Sequence, residues 1–252
     1  YGGGRFESEK LKLGISVYSE NDAKNQPLQQ NLSTEQTQIL ANAGDDRAEM
    51  VAPSEVLEAL NENRILYKKE LISGIEAFVF SNNPDDELYR VTFTQVGANQ
   101  GDYILSSVNA INNIYEYVGI NQGNYAPIIQ LIAPTKLQIA VVNGSYNPTE
   151  KTAIHFEAAG SKNDLNLFSN LNDEDNDGFA GKLKITQNII KKDSLWSLNA
   201  FIDGDYIQKN FKTIERLYNA EFSRDWNIEN PLGNQQFTKT GLQLIHPKKG
   251  IV

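Results

Sequence analysis

Asp173, Asp175 and Asp177 stand at alternate positions in the run Asn172-Asp173-Glu174-Asp175-Asn176-Asp177-Gly178. This spacing lets carboxylates converge on a hard cation while glycine permits a sharp bend, and the cation such a set takes is calcium. An EF-hand loop carries a bidentate glutamate at its twelfth position; counted from Asp173, that position is Lys184, and no capped helix follows. The standard motif is therefore rejected. Two readings stay open: an Asp-rich turn that holds Ca²⁺ through Asp173, Asp175 and Asp177 with help from backbone carbonyls, or a solvated acidic loop.

Other reactive inventories are thin. The histidines are His155 and His246, without a His-x-x-x-His pair, and no serine sits in a Gly-x-Ser-x-Gly elbow, so zinc and serine hydrolase chemistry fail on inventory. His155, between Ile154 and Phe156, reads as an outward strand position. There is no Gly-x-x-x-x-Gly-Lys-Ser/Thr loop, and Tyr1-Gly2-Gly3-Gly4-Arg5 reads as a linker rather than a phosphate cradle. Glycoside hydrolysis needs only two placed carboxylates, for which the strand-borne candidates are Glu116, Glu157 and Glu221. Each fits an outward charge on a half-exposed strand better, because alternation alone places polar residues there. Tyr103, Tyr115, Tyr117, Tyr125 and Tyr146 suit cross-strand packing or a sugar-stacking surface. Glu215-Arg216 and Arg224-Asp225-Trp226 suit ion pairs at a sheet end. No catalytic residue is assigned, and the chain reads as a non-enzyme.

The elements that must position these residues are mostly strands. Lys182 to Ile189 and Leu195 to Ile202, joined by Lys191-Lys192-Asp193-Ser194, alternate apolar and polar residues as a β-hairpin does. Further strands are expected at Ile65–Ile72, Glu76–Phe80, Leu88–Val96, Tyr103–Val108, Ile114–Val118, Pro127–Ile132, Leu137–Val142 and Thr152–Ala158. Turns fall at Ser81–Asp86, Gly97–Gly101 and Asn143–Pro148, whose Gly, Asn, Asp and Pro favour reversals. Two short helices are expected near the N-terminus. One spans residues 33 to 44, from the capping box Ser33-Thr34-Glu35-Gln36 to Gly44; the other spans 54 to 61, with Val56, Leu57 and Leu60 on one side. The fold class is mainly β: an antiparallel meander, sandwich or partial barrel. A soft boundary near residue 74 separates an N-terminal strand and two-helix segment (1–74) from an antiparallel β domain (75–252).

Composition narrows the partners. The 252 residues are 40% hydrophobic, enough to build a packed core. The 32 acidic residues outnumber 23 scattered basic ones, giving a net charge of −9 and a poor match to nucleic acid, which needs clustered Lys and Arg. Cysteine is absent, which excludes disulfides and thiolate chemistry. No apolar run approaches the about 20 residues of a spanning helix. The start at Tyr1, without Met or an apolar leader, is expected of an internal or processed piece of a longer protein.

Several segments carry a family likeness: Gly101-Asp102-Tyr103, Tyr115-Glu116-Tyr117-Val118-Gly119, Ala133-Pro134-Thr135-Lys136-Leu137-Gln138, Asn166-Leu167-Phe168-Ser169, Asp173 to Gly178, and Glu221-Phe222-Ser223-Arg224-Asp225-Trp226-Asn227. Together, over roughly Ile65 to Asn227, they resemble a section of the large β-rich extracytoplasmic proteins of Bacteroidota, and in particular plug subunits of the type IX secretion translocon. The resemblance implies a non-enzymatic module at the periplasmic face of the outer membrane that occludes or scaffolds a translocon barrel, its partner, with only indirect membrane association. Such proteins exceed this chain in length, so a fragment is implied. The alternative is a calcium-stabilised carbohydrate-binding or glycoside-cleaving β-sandwich of a surface glycan system.

Overall fold

The computed structural model describes residues 1–23, 31–108, 113–190, 196–214, 233–246 and 250–251. In chain order, β1 (Gly2–Glu7) and β2 (Leu11–Asn21) are followed by α1 (Thr34–Ala43) and by short strands β3 (Val51–Pro53), β4 (Val56–Leu57), β5 (Tyr67–Ile72), β6 (Ile75–Phe80), β7 (Tyr89–Arg90), β8 (Thr94–Gln95), β9 (Tyr103–Val108), β10 (Asn113–Tyr117), β11 (Tyr125–Ala126) and β12 (Ile128–Gln130). Long strands then return: β13 (Lys136–Thr149), β14 (Thr152–Asp164), β15 (Asp177–Ile190), β16 (Ser197–Ile207) and β17 (Gln235–His246), with a short β18 (Gly250–Ile251). The protein is mainly β, its strand pairs are antiparallel, and the described sheets do not close into a barrel.

Two compact units divide the chain. One comprises Tyr1–Leu28 with Pro134–Val252, the other Gln29–Ala133. The first is an eight-stranded sheet in the order β1-β2-β13-β14-β15-β16-β17-β18. Apart from the step from β2 to β13, each strand pairs with its sequence neighbour, so the sheet is a meander interrupted once by the insert 29–133. The seam at that interruption is tied: the Asp22 carboxylate accepts from the Thr135 amide at 2.8 Å and from its hydroxyl at 3.0 Å, and the Asp22 amide donates to the Thr135 carbonyl at 2.9 Å. Residue 74, taken from the sequence as a boundary, lies in the tight β5–β6 turn, where Gly74 adopts φ +84.

The insert folds around an aromatic cluster. Tyr67, Phe78 and Tyr103 are buried, with Phe93, Tyr115, Tyr117 and Tyr125 packed against them. The ring centroids of Phe93 lie 4.8 Å from Tyr103 and 4.6 Å from Tyr115, within the contact range of aromatic pairs. Both buried hydroxyls are used: Tyr103 accepts from the Phe78 amide at 2.8 Å and Tyr67 from the Tyr115 amide at 3.0 Å. Burial pushes the Tyr67 phenol up to about 12 and raises that of Tyr103.

Several expectations are corrected. The helix at 33–44 forms, with Ser33 accepting from the Gln36 amide and the Gln36 side chain accepting from that of Ser33. The second, at 54–61, does not. Val56 and Leu57 form β4 against β7, because the Ser54 hydroxyl donates to the Thr92 carbonyl at 2.6 Å and accepts from the Thr92 amide, binding it to a neighbouring segment instead of capping a helix. Val56, Leu57 and Leu60 stay exposed, so no apolar stripe supports a helix there. Tyr1–Arg5 is no linker: Gly2 to Glu7 pair in register with β2. The turn expected at Asn143–Pro148 lies inside β13, and the reversal comes at Glu150 and Lys151. The strand expected at Leu88–Val96 is broken between β7 and β8, where Phe93 turns into the aromatic cluster.

Candidate interaction surface

Directly paired residues of an antiparallel sheet share a face, so the registers sort the side chains of the long strands into two sides. On one side, Ile15, Val142, Ala158 and Tyr206 form a cross-strand row with Gly181. Phe6, Leu13, Phe156 and Leu183 form the next row, and Leu11, Tyr146, Ile154, Ile185 and Ile202 the one after. Val17 and Phe179 extend it below, Leu242 and Leu244 diagonally beyond. This apolar face is uncovered: Ile15 is 52% exposed, Phe179 48% and Leu242 68%. The charged residues of this side sit at one margin, where Lys136 pairs with Asp164 and Lys162 with Asp177.

The opposite side carries the charge. Glu157, Lys182 and Asp205 succeed one another on β14, β15 and β16, and Lys184, Asp203 and Lys239 do so on β15, β16 and β17. Signs alternate from strand to strand, which is the favourable cross-strand arrangement. Lys182 Nζ lies 3.3 Å from Asp205 Oδ1, and Lys12 pairs with Glu7 across β1 and β2. At one end of this face, Ile139, Ala159 and Ile207 are buried, and together with Phe211 and Ile214 they border a cavity of about 550 Å³.

The acidic turn lies at the foot of β15. Asp173 and Asp175 occupy a single 3₁₀ turn, Asp177 begins the strand, and all three side chains are exposed. Its anchor is Asn176, only 3% exposed, whose side-chain Nδ2 donates to Asp173 Oδ1 at 2.9 Å while its backbone carbonyl accepts from the Asn163 amide. Among the described residues no group of three or more His, Asp or Glu side chains is gathered as a metal site. Gly178 is accounted for without a cation. A Cβ there would overlap the Phe211 backbone, which crosses over it while the Lys212 amide donates to Ser161 Oγ at 2.9 Å.

The other candidates scatter. Glu116 is exposed and accepts from Ser106 at 3.0 Å; Glu157 is exposed in the charge ladder; Glu221, Glu215-Arg216 and Arg224-Asp225-Trp226 lie outside the described residues. His155 points to the polar face beside Lys184, and the His246 ring packs 4.8 Å from that of Trp196. Tyr103, Tyr115, Tyr117 and Tyr125 belong to the insert's cluster, whereas Tyr146 lies on the apolar face. Three of the segments that carried the family likeness make backbone contacts: Gly101 pairs with Gly123, where neither position has room for a Cβ, and the Leu167 amide donates to the Pro134 carbonyl. What residue-by-residue reading missed is the continuous apolar face. Its signal was the alternation itself, present in Leu11-Lys12-Leu13-Gly14-Ile15-Ser16-Val17 as much as in the hairpin.

Among the described residues no helix is long and apolar enough to cross a membrane, which says nothing of strands. No protein-family model, curated protein or solved structure matches this chain.

Proposed function

We propose that this chain is a non-enzymatic structural module of an outer-membrane-associated assembly, and that the sheet is its working surface. The observation that supports this reading is the division of the long-stranded meander into a charged face and a broad uncovered apolar one. Exposed contiguous apolar surface beyond a few hundred Å² marks an interaction or membrane site. The resemblance supplies the compartment and a partner, a protein-conducting barrel of a secretion translocon. The test is purification of the native protein from detergent-solubilised outer membranes, with identification of what accompanies it. Recovery with a large barrel at equal stoichiometry is expected. Recovery from the soluble fraction, with glycan binding or sugar release abolished by Glu157→Gln or Glu116→Gln, would overturn the proposal in favour of the carbohydrate module.

A further inference from the structure

We propose that the eight-stranded sheet lies within the bilayer as part of the wall of a β-barrel, with the apolar face against lipid hydrocarbon and the charge ladder facing the lumen. This rests on the reading above and replaces indirect membrane association with insertion.

Dimensions support it first. Strands β13 to β17 run 11 to 14 residues, whereas a strand of an ordinary soluble sheet has about 5 to 6 and a spanning strand about 9 to 11. On β15 the alternating apolar positions Phe179 to Ile185 lie between Asp177 and Gln187, with Ile190 beyond a bulge. Ten residues at about 3.3 Å each, tilted by about 40°, span about 25 Å, the height of the apolar band of outer-membrane barrels.

The placement of charge is the second argument. Between those margins the lipid-facing positions of β2, β13, β14, β15 and β16 contain no Asp, Glu, Lys or Arg, while the alternate positions of the same strands hold Lys12, Glu157, Lys182, Lys184, Asp203 and Asp205. A soluble sheet buries its apolar face under a second layer, and a partner protein would meet a bounded patch with a polar rim. Here the apolar residues instead form a band that runs from strand to strand across most of the sheet. Hydrocarbon tolerates no unpaired backbone, so insertion requires that the outer edges of β1 and β18, and of β17 before Ile245, also be paired.

These 252 residues contain no cysteine, so each introduced Cys is unique among them, and any Cys elsewhere in the full-length protein would be replaced first. Spin labels would be placed singly at 182 to 186 on β15, and at Val142 and Ile202, in the full-length protein in native outer membranes. Accessibility to oxygen and to a water-soluble nickel chelate would then be read. High oxygen and low nickel accessibility at 183, 185, 142 and 202, reversing at 182, 184 and 186, is expected. Low accessibility to both reagents at the apolar positions would mean a protein cover and would overturn the lipid assignment while leaving the structural-module reading intact. High nickel accessibility at those positions would overturn it in favour of a water-exposed face. Absence of the protein from outer membranes altogether would remove both readings.

Discussion

The two units bury their apolar residues in opposite ways. In the insert, Tyr67, Tyr103, Leu66, Leu40 and Leu131 are 3% exposed or less, and its rings interlock within one centre. In the sheet unit, Ile139, Ala159 and Ile207 are the buried apolar residues among those described, and the other large apolar side chains of the long strands are exposed or half-buried. Both are antiparallel β-structure with similar turn chemistry. The difference teaches that strand alternation specifies a sided sheet without specifying what covers the side. The insert supplies its own cover from the residues between its short strands, Phe93 above all; in the sheet unit Phe211 and Ile214 cover one end of the charged face, and the apolar face is left to the surroundings.

Removing the centre of the insert should sharpen that contrast most. Tyr103→Ala deletes a ring in contact with Phe93 and Tyr117 and strands the Phe78 amide, and should cost about 3 to 5 kcal/mol by urea unfolding, as large-to-small core changes do. Val142→Ala on the open face should cost less than about 0.5 kcal/mol in the same assay in detergent, since no cavity is made. A comparable loss at both positions would break the distinction.

The next effect is pH-dependent and confined to the insert. The Tyr67 pKa is raised by burial, to about 12 from an ordinary 10. The unfolded phenol therefore releases its proton first, so the stabilisation is complete below pH 10 and is lost as pH rises toward 12. Fluorescence-monitored melts of the wild type should fall steeply across that window. Tyr67→Phe should start lower, lacking the hydrogen bond to Tyr115, and fall less steeply.

At the foot of β15, Gly178→Ala should cost about 1 to 3 kcal/mol by forcing apart the Phe211 backbone. Asn176→Ala should cost about 1 to 3 kcal/mol by leaving the buried end of the acidic turn unheld. Thermal melts of these two and of Asp175→Ala, each in calcium and in chelator, separate a hydrogen-bonded, closely packed anchor from a cation: a calcium-dependent shift that Asp175→Ala removes would add an ion to the turn. The smallest effect belongs to the exposed candidates, with Glu116→Gln within about 0.5 kcal/mol of wild type.

The readable parts of this fold were those set by local chemistry. The hairpin of β15 and β16, the capping box at Ser33 and the turn at Ser81–Asp86 each depend on residues close in sequence. Ser54 opens the helix expected at 54–61, but its hydroxyl is taken by Thr92, 38 residues away. Gly178 reads as the bend of an acidic turn from its sequence neighbours, whereas the Phe211 backbone that crosses it is 33 residues away. The two-sided sheet was written plainly in the alternation, yet its exposure was not, because an apolar stripe has the same sequence whether it meets a second layer, a partner or lipid.

The clasp between Asp22 and Thr135 bears on how the chain reaches this state. It joins residues 113 positions apart, and the β2–β13 ladder beside it carries the same long separation. Closing so long a loop before any contact rewards it is slow. If the insert folds first, the chain between the two strands contracts and the search becomes short, so the seam should zip late and at a rate set by the insert. Destabilising the aromatic cluster should then slow closure of a seam in which none of its residues takes part.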